Sequence, residues 1–98
     1  MKSPLRQRRE AAETLAVQAR GFIAGEDARL AHFLNMTGII AADIRAAARE
    51  PSFLAGVLEH MLAEESLLLA FAAEAGIDPA EVARAKSVLA AGWERDAP

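Results

Sequence analysis

The sequence contains no cysteine and no tyrosine, and it is poor in β-branched residues. Without cysteine there is neither a disulfide to stabilise the fold nor a thiol for chemistry. The residue types that favour strands are scarce, so a β-sheet is not expected. No apolar run approaches the ~20 residues that span a bilayer, and the N-terminus lacks the apolar core of a secretory signal. These absences predict an all-α, cytoplasmic protein.

Motifs for catalysis are also missing, including a glycine-rich phosphate loop and any recognised serine or threonine motif. His60 and Glu64 do lie four residues apart, a spacing that metal ligands use, with Glu59 and Glu65 nearby. A competent metal site needs three or four ligands, however, and the second histidine, His32, has no carboxylate at a matching spacing. A hydrogen bond or ion pair on the helix surface is the simpler interpretation. We therefore predict no catalytic residue, no metal ligand and no cofactor.

Alanine is abundant: 24 of the 98 residues are alanine, within a hydrophobic share of 53%. Alanine is the strongest helix former, and its small side chain lets helices pack closely. The length fits one domain with a modest core, spanning residues 1–98. Composition thus favours a bundle of closely packed helices.

Charge is distributed unevenly, with +3 on residues 1–10 and −6 on the remainder. An acidic body does not favour binding along a phosphate backbone. The candidate anion contacts are therefore confined to a basic N-terminal arm that is able to fray, and they are Lys2, Arg6, Arg8 and Arg9.

Capping and helix-breaking residues divide the chain into six helices. Ser3 followed by Pro4 predicts an N-cap and a first helical residue. Gly25 is expected to end that helix, and Pro51 interrupts the chain because the residue before proline avoids the helical region. The predicted helices cover residues 4–24, 27–37, 41–49, 51–63, 64–75 and 79–91.

The stretch 68–82, LLAFAAEAGIDPAEV, predicts a helix end followed at once by a helix start. Gly76 is expected to take the left-handed conformation, with Phe71 touching Ile77 across it in a Schellman stop. Asp78 then caps the next helix by accepting backbone N–H groups.

A similar pattern lies 38 residues upstream, in the stretch 30–44, LAHFLNMTGIIAADI. Gly38 is expected to stop the helix and Phe33 to touch Ile39. No capping side chain follows, so the next helix should begin less sharply. The repeated pattern indicates two pseudo-repeated three-helix units, residues 12–49 and 50–91, that pack as one compact orthogonal bundle.

Seven consecutive apolar residues run from Leu67 to Ala73. A helix that is apolar on every side is normally enclosed on every side, so this one should be the buried centre or a surface covered by another chain. The candidate interaction surface consists of Leu67, Leu68, Leu69 and Trp93. The leading hypothesis is a noncatalytic protein-interaction module that binds a protein partner or a second copy of itself. The alternative is a nucleic-acid-associated regulator that uses the basic arm.

The run from Thr37 to Ala85 resembles a family of small alphaproteobacterial proteins known only as a domain of unknown function. The matching elements are Phe33-Leu34, Thr37-Gly38-Ile39, Asp43-Ile44-Arg45, Pro51 with Phe53-Leu54, Leu67 to Phe71, and Gly76-Ile77. The resemblance implies a bacterial, helical, intracellular protein and transfers no activity or catalytic residue.

Overall fold

The fold is defined by a computed structural model that describes residues 3–50 and 52–96, with side chains described as far as residue 91. The helices are α1 (Pro4–Ala24), α2 (Asp27–Thr37), α3 (Ile44–Ala47), α4 (Phe53–Ala63), α5 (Glu65–Ala75) and α6 (Ala80–Asp96). A 3-10 turn, Ala41–Asp43, leads into α3. Within these ranges there is no strand, and the predicted all-α bundle is confirmed. None of the described helices combines the length and apolar character needed to cross a membrane.

Local signals at both ends of α1 form as predicted. The Ser3 hydroxyl accepts a hydrogen bond from the backbone N–H of Arg6 at 3.1 Å, and Pro4 is the first helical residue. The first turns are therefore helical in spite of their clustered arginines. At the other end the N–H of Gly25 donates to the carbonyl of Gly21 at 2.9 Å and closes the helix.

Helices α1, α4 and α6 form the centre of the bundle, each packed on the other two. Their buried side chains include Ala12, Ala16 and Ala19 of α1, Val57, Leu58 and Met61 of α4, and Val82 and Ala85 of α6. Alanines at spacings of three and four give α1 a face without long side chains, which lets its neighbours approach closely. Helices α2 and α5 lie outside this centre, and each contributes one phenylalanine to the core, Phe33 and Phe71 respectively.

Both glycine stops take the predicted left-handed conformation, with φ +78° at Gly38 and +69° at Gly76. After Gly76 the N–H of Ile77 donates to the carbonyl of Ala72 at 3.0 Å, the long hydrogen bond of a Schellman stop. After Gly38 the N–H of Ile39 instead faces the Thr37 hydroxyl at 3.4 Å. Both glycine N–H groups donate to the carbonyl four residues back, so the two stops differ only in the hydrogen bond of the isoleucine that follows. Both isoleucines pack against the core.

The helix after the first stop begins irregularly, as its uncapped start predicts, and it is shorter than the predicted 41–49. It consists of the 3-10 turn and the four residues of α3, and neither has a side-chain cap. After the second stop, Asp78 accepts a hydrogen bond from the N–H of Ala80 at 2.9 Å, and α6 continues to Asp96, beyond its predicted end. The proposed repeats therefore differ most in their third helices. Duplication of the unit stays a prediction.

Candidate functional site

Helix α5 lies at the edge of the bundle, and its main contacts are with α4 and α1. Phe71 and Ala72 are buried, Leu67 and Leu68 are half-buried, and Leu69 is 50% exposed. The apolar run is therefore not the centre of the fold. It leaves an apolar surface uncovered by the described part of the chain.

The exposed residues of α5 repeat at intervals of three and four. Ser66, Leu69, Ala70 and Ala73 are all exposed, so they share one side of the helix, which we call the α5 outer face. Trp93, the fourth residue of the predicted interaction surface, has a side chain outside the described residues.

The basic arm forms the first turns of α1. Arg6 and Arg8 are exposed on this helix, whereas Nε of Arg9 lies 3.8 Å from Oε1 of Glu13 one turn further on. Lys2 lies outside the described residues. The structure thus displays two of the four predicted anion contacts on an ordered helix, and it shows an acidic neighbour for a third.

The two histidines, which are far apart in sequence, meet in the tertiary structure. Their ring centroids lie 5.6 Å apart, and the His60 ring also meets the Phe33 ring edge-on at 5.1 Å. Only 8% of His60 is exposed, and its Nε2 has no hydrogen-bond partner within the described structure. His60 therefore serves as part of the packed aromatic core.

Glu64 pairs with the histidine that the sequence pattern did not select. Its Oε1 lies 2.8 Å from Nε2 of His32, whereas the spacing rule paired it with His60. Glu64 lies between α4 and α5 with an extended backbone, φ −122° and ψ 94°, so the helical spacing that would place it beside His60 ends there. His32 and Glu64 are 32 residues apart, and no local pattern reveals such a pair.

Electrostatics in this cluster disfavour charge on the buried ring. Burial lowers the pKa of His60, the nearby His32 lowers it further, and Glu64 opposes the shift. The hydrogen bond from His32 lowers the pKa of Glu64. Among the side chains that the structure describes, no three His, Asp or Glu residues are placed to hold a metal ion together. The contact between His32 and Glu64 joins α2 to the α4–α5 junction.

Comparison with known proteins identifies a family. Residues 9–92 match the family described as protein of unknown function (DUF3572), and the chain belongs to it. This match confirms the resemblance to a family without an assigned activity. No curated protein and no solved structure matches the chain.

Proposed function

We propose that this member of the DUF3572 family is a noncatalytic protein-interaction module that binds through the α5 outer face. One observation supports the proposal above all: a helix with seven consecutive apolar residues lies at the edge of the bundle with Leu69 half exposed. Leaving a large apolar side chain in water forgoes the free energy of its burial, which a partner restores. The proposal includes that the protein is bacterial and acts in the cytoplasm.

The chemistry of the α5 outer face favours a helix as the binding element. Ala70 and Ala73 let a second helix approach closely, and Leu69 supplies a large apolar side chain for contact with that helix. No charged residue lies between residues 66 and 73, so the middle of this face is uncharged, and the exposed Glu65 and Glu74 lie at its two ends. Self-association is therefore the first form of the proposal to test.

Light scattering at increasing protein concentration tests self-association. The wild-type chain is expected to form a dimer, and Leu69→Glu is expected to return it to a monomer because the new carboxylate is buried without a partner. Leu5→Glu is the matched control, since Leu5 is 60% exposed on α1 and the charge change is the same. Equal loss of dimer in both variants would place the contact elsewhere.

If the wild-type chain stays monomeric, the partner of the α5 outer face must be a different protein. A photo-crosslinking amino acid placed at position 69, and separately at position 5, distinguishes this case in native cytoplasm. The proposal requires a discrete adduct from position 69 that position 5 does not give. A monomer with no such adduct contradicts the interaction module in both forms.

Exposure of Arg6 and Arg8 supports the second candidate, a nucleic-acid-associated regulator. The first turn of α1 holds no acidic residue. Binding of this kind weakens as salt rises, because it releases counterions from the phosphates. A gel-shift assay at low salt with wild type and Arg6→Gln/Arg8→Gln tests it, and absence of a shift for wild type would rule the candidate out.

A further inference from the structure

A cavity of about 260 Å³ lies where α1, α2, α3 and α4 meet. Large apolar side chains from all four helices line it, namely Ile23, Leu30, Phe33, Ile44, Phe53 and Val57. An apolar cavity of about 150 Å³ already accommodates benzene. This one has room for a ring or a short alkyl chain.

The charged residues that line the cavity are both basic. They are Arg20 of α1 and Arg45 of α3, and no acidic side chain of the described residues lines it. Both arginines are exposed, and neither has an ion-pair or hydrogen-bond partner in the part of the chain that the structure describes. Arg29, by contrast, lies 3.4 Å from Glu26 and stacks on the Phe22 ring at 3.8 Å. Two unpaired guanidinium groups beside an apolar cavity are complementary to an anion with an apolar tail.

We propose that this cavity binds a small amphiphilic carboxylate, with its apolar chain among the lining side chains and its carboxylate paired with Arg20 and Arg45. Guanidinium groups suit this task because they are always charged and match the two oxygens of a carboxylate. The site is formed without any residue of α5, so it is independent of the proposed interaction surface.

Calorimetric titration with octanoate tests the charge requirement, with octanol as the neutral probe of equal chain length. Octanoate is expected to saturate one site and to bind more tightly than octanol. Arg20→Gln and Arg45→Gln should each weaken octanoate about fivefold, the effect of losing one solvent-exposed ion pair, and leave octanol unchanged. Arg49→Gln is the matched control, because Arg49 is exposed in the same segment and does not line the cavity.

A second pair of variants tests the cavity itself. Ala24 is exposed and lines the cavity, so Ala24→Leu is expected to abolish binding of octanoate and octanol alike by occupying the space. Ala28→Leu adds the same side chain at an exposed position of α2 outside the lining and should leave binding unchanged. Circular dichroism of each variant establishes that it is folded.

Methyl chemical shifts locate the ligand. Octanoate should move the signals of Ile23, Ile44 and Val57 and leave those of Leu69 unmoved. Absence of saturable binding, equal affinity for octanoate and octanol, an Arg49→Gln effect as large as that of Arg45→Gln, or shifts centred on Leu69 would each overturn the proposal. None of these results depends on whether the α5 outer face binds a protein.

Discussion

Nε2 of His32 lies 2.8 Å from Oε1 of Glu64, a contact that fastens α2 to the junction of α4 and α5. It connects a helix from the first predicted unit with two helices from the second. The pair lies at the surface, yet it continues inward through the contact of the His32 and His60 rings. His32 therefore contacts both Glu64 at the surface and the buried His60 ring.

Replacing Glu64 by glutamine should lower stability near neutral pH and have little effect in acid. The hydrogen bond from His32 lowers the pKa of Glu64, so its contribution is present above the ordinary value of 4.5 and is lost as pH falls through the lowered pKa. Urea unfolding of wild type and Glu64→Gln at about pH 6 and about pH 3 measures the difference. Glu65→Gln, which removes one negative charge at the adjacent exposed position, is the matched control.

The stability of the wild type should fall as pH is lowered from about 7.5 to 5.5, because His60 is buried uncharged. The pKa of His60 is lowered from its ordinary value of 6.5, so the unfolded chain takes up the proton more readily than the folded one. The loss begins as pH falls through 6.5 and is complete at the lowered folded pKa. His60→Leu should flatten this dependence in urea unfolding, and an unchanged slope would contradict the assignment.

Phe33→Ala should destabilise the fold by about 3–5 kcal/mol, the range for truncating a buried phenylalanine. Phe33 is only 3% exposed, and its ring packs against those of Phe53 and His60. Met36→Ala on the same helix should change stability by no more than about 0.5 kcal/mol, because Met36 is largely exposed. Chemical denaturation measures both, and similar losses would contradict the burial assigned to α2.

Gly76→Ala should cost roughly 1–2 kcal/mol, because its φ of +69° is unfavourable for any residue with a Cβ. A Cβ added there meets nothing within 4 Å, so the expected loss arises from the backbone alone. Gly56→Ala is the control: it lies inside α4 with equal room, and alanine should stabilise that helix by up to about 1 kcal/mol. Thermal unfolding should therefore shift in opposite directions for the two variants.

Helix boundaries proved the most predictable feature of this chain. The start at Ser3, the stop at Gly76 and the restart after Asp78 each depend on residues within one or two turns, and each forms the expected hydrogen bond. The 41–49 segment was also foreseen to begin poorly, because no side chain there caps it.

The candidate surfaces were predictable only in part. The sequence indicated that Leu67 to Ala73 is apolar on every side of its helix. It did not decide whether this helix is the buried centre or a surface covered by another chain. The structure places α1, α4 and α6 at the centre and leaves Leu69 half exposed. The cavity between Arg20 and Arg45 had no sequence signal, because its lining comes from four helices.

The sequence by itself determined most of the helix starts and stops and the all-α class of the described residues, since capping, glycine stops and alanine content act within a few residues. The tertiary structure alone decided which helices are central, that His32 and not His60 pairs with Glu64, and that two arginines share an apolar cavity. These relationships depend on how helices pack against one another. Packing is settled by the fit of whole faces, which no single stretch of the chain contains.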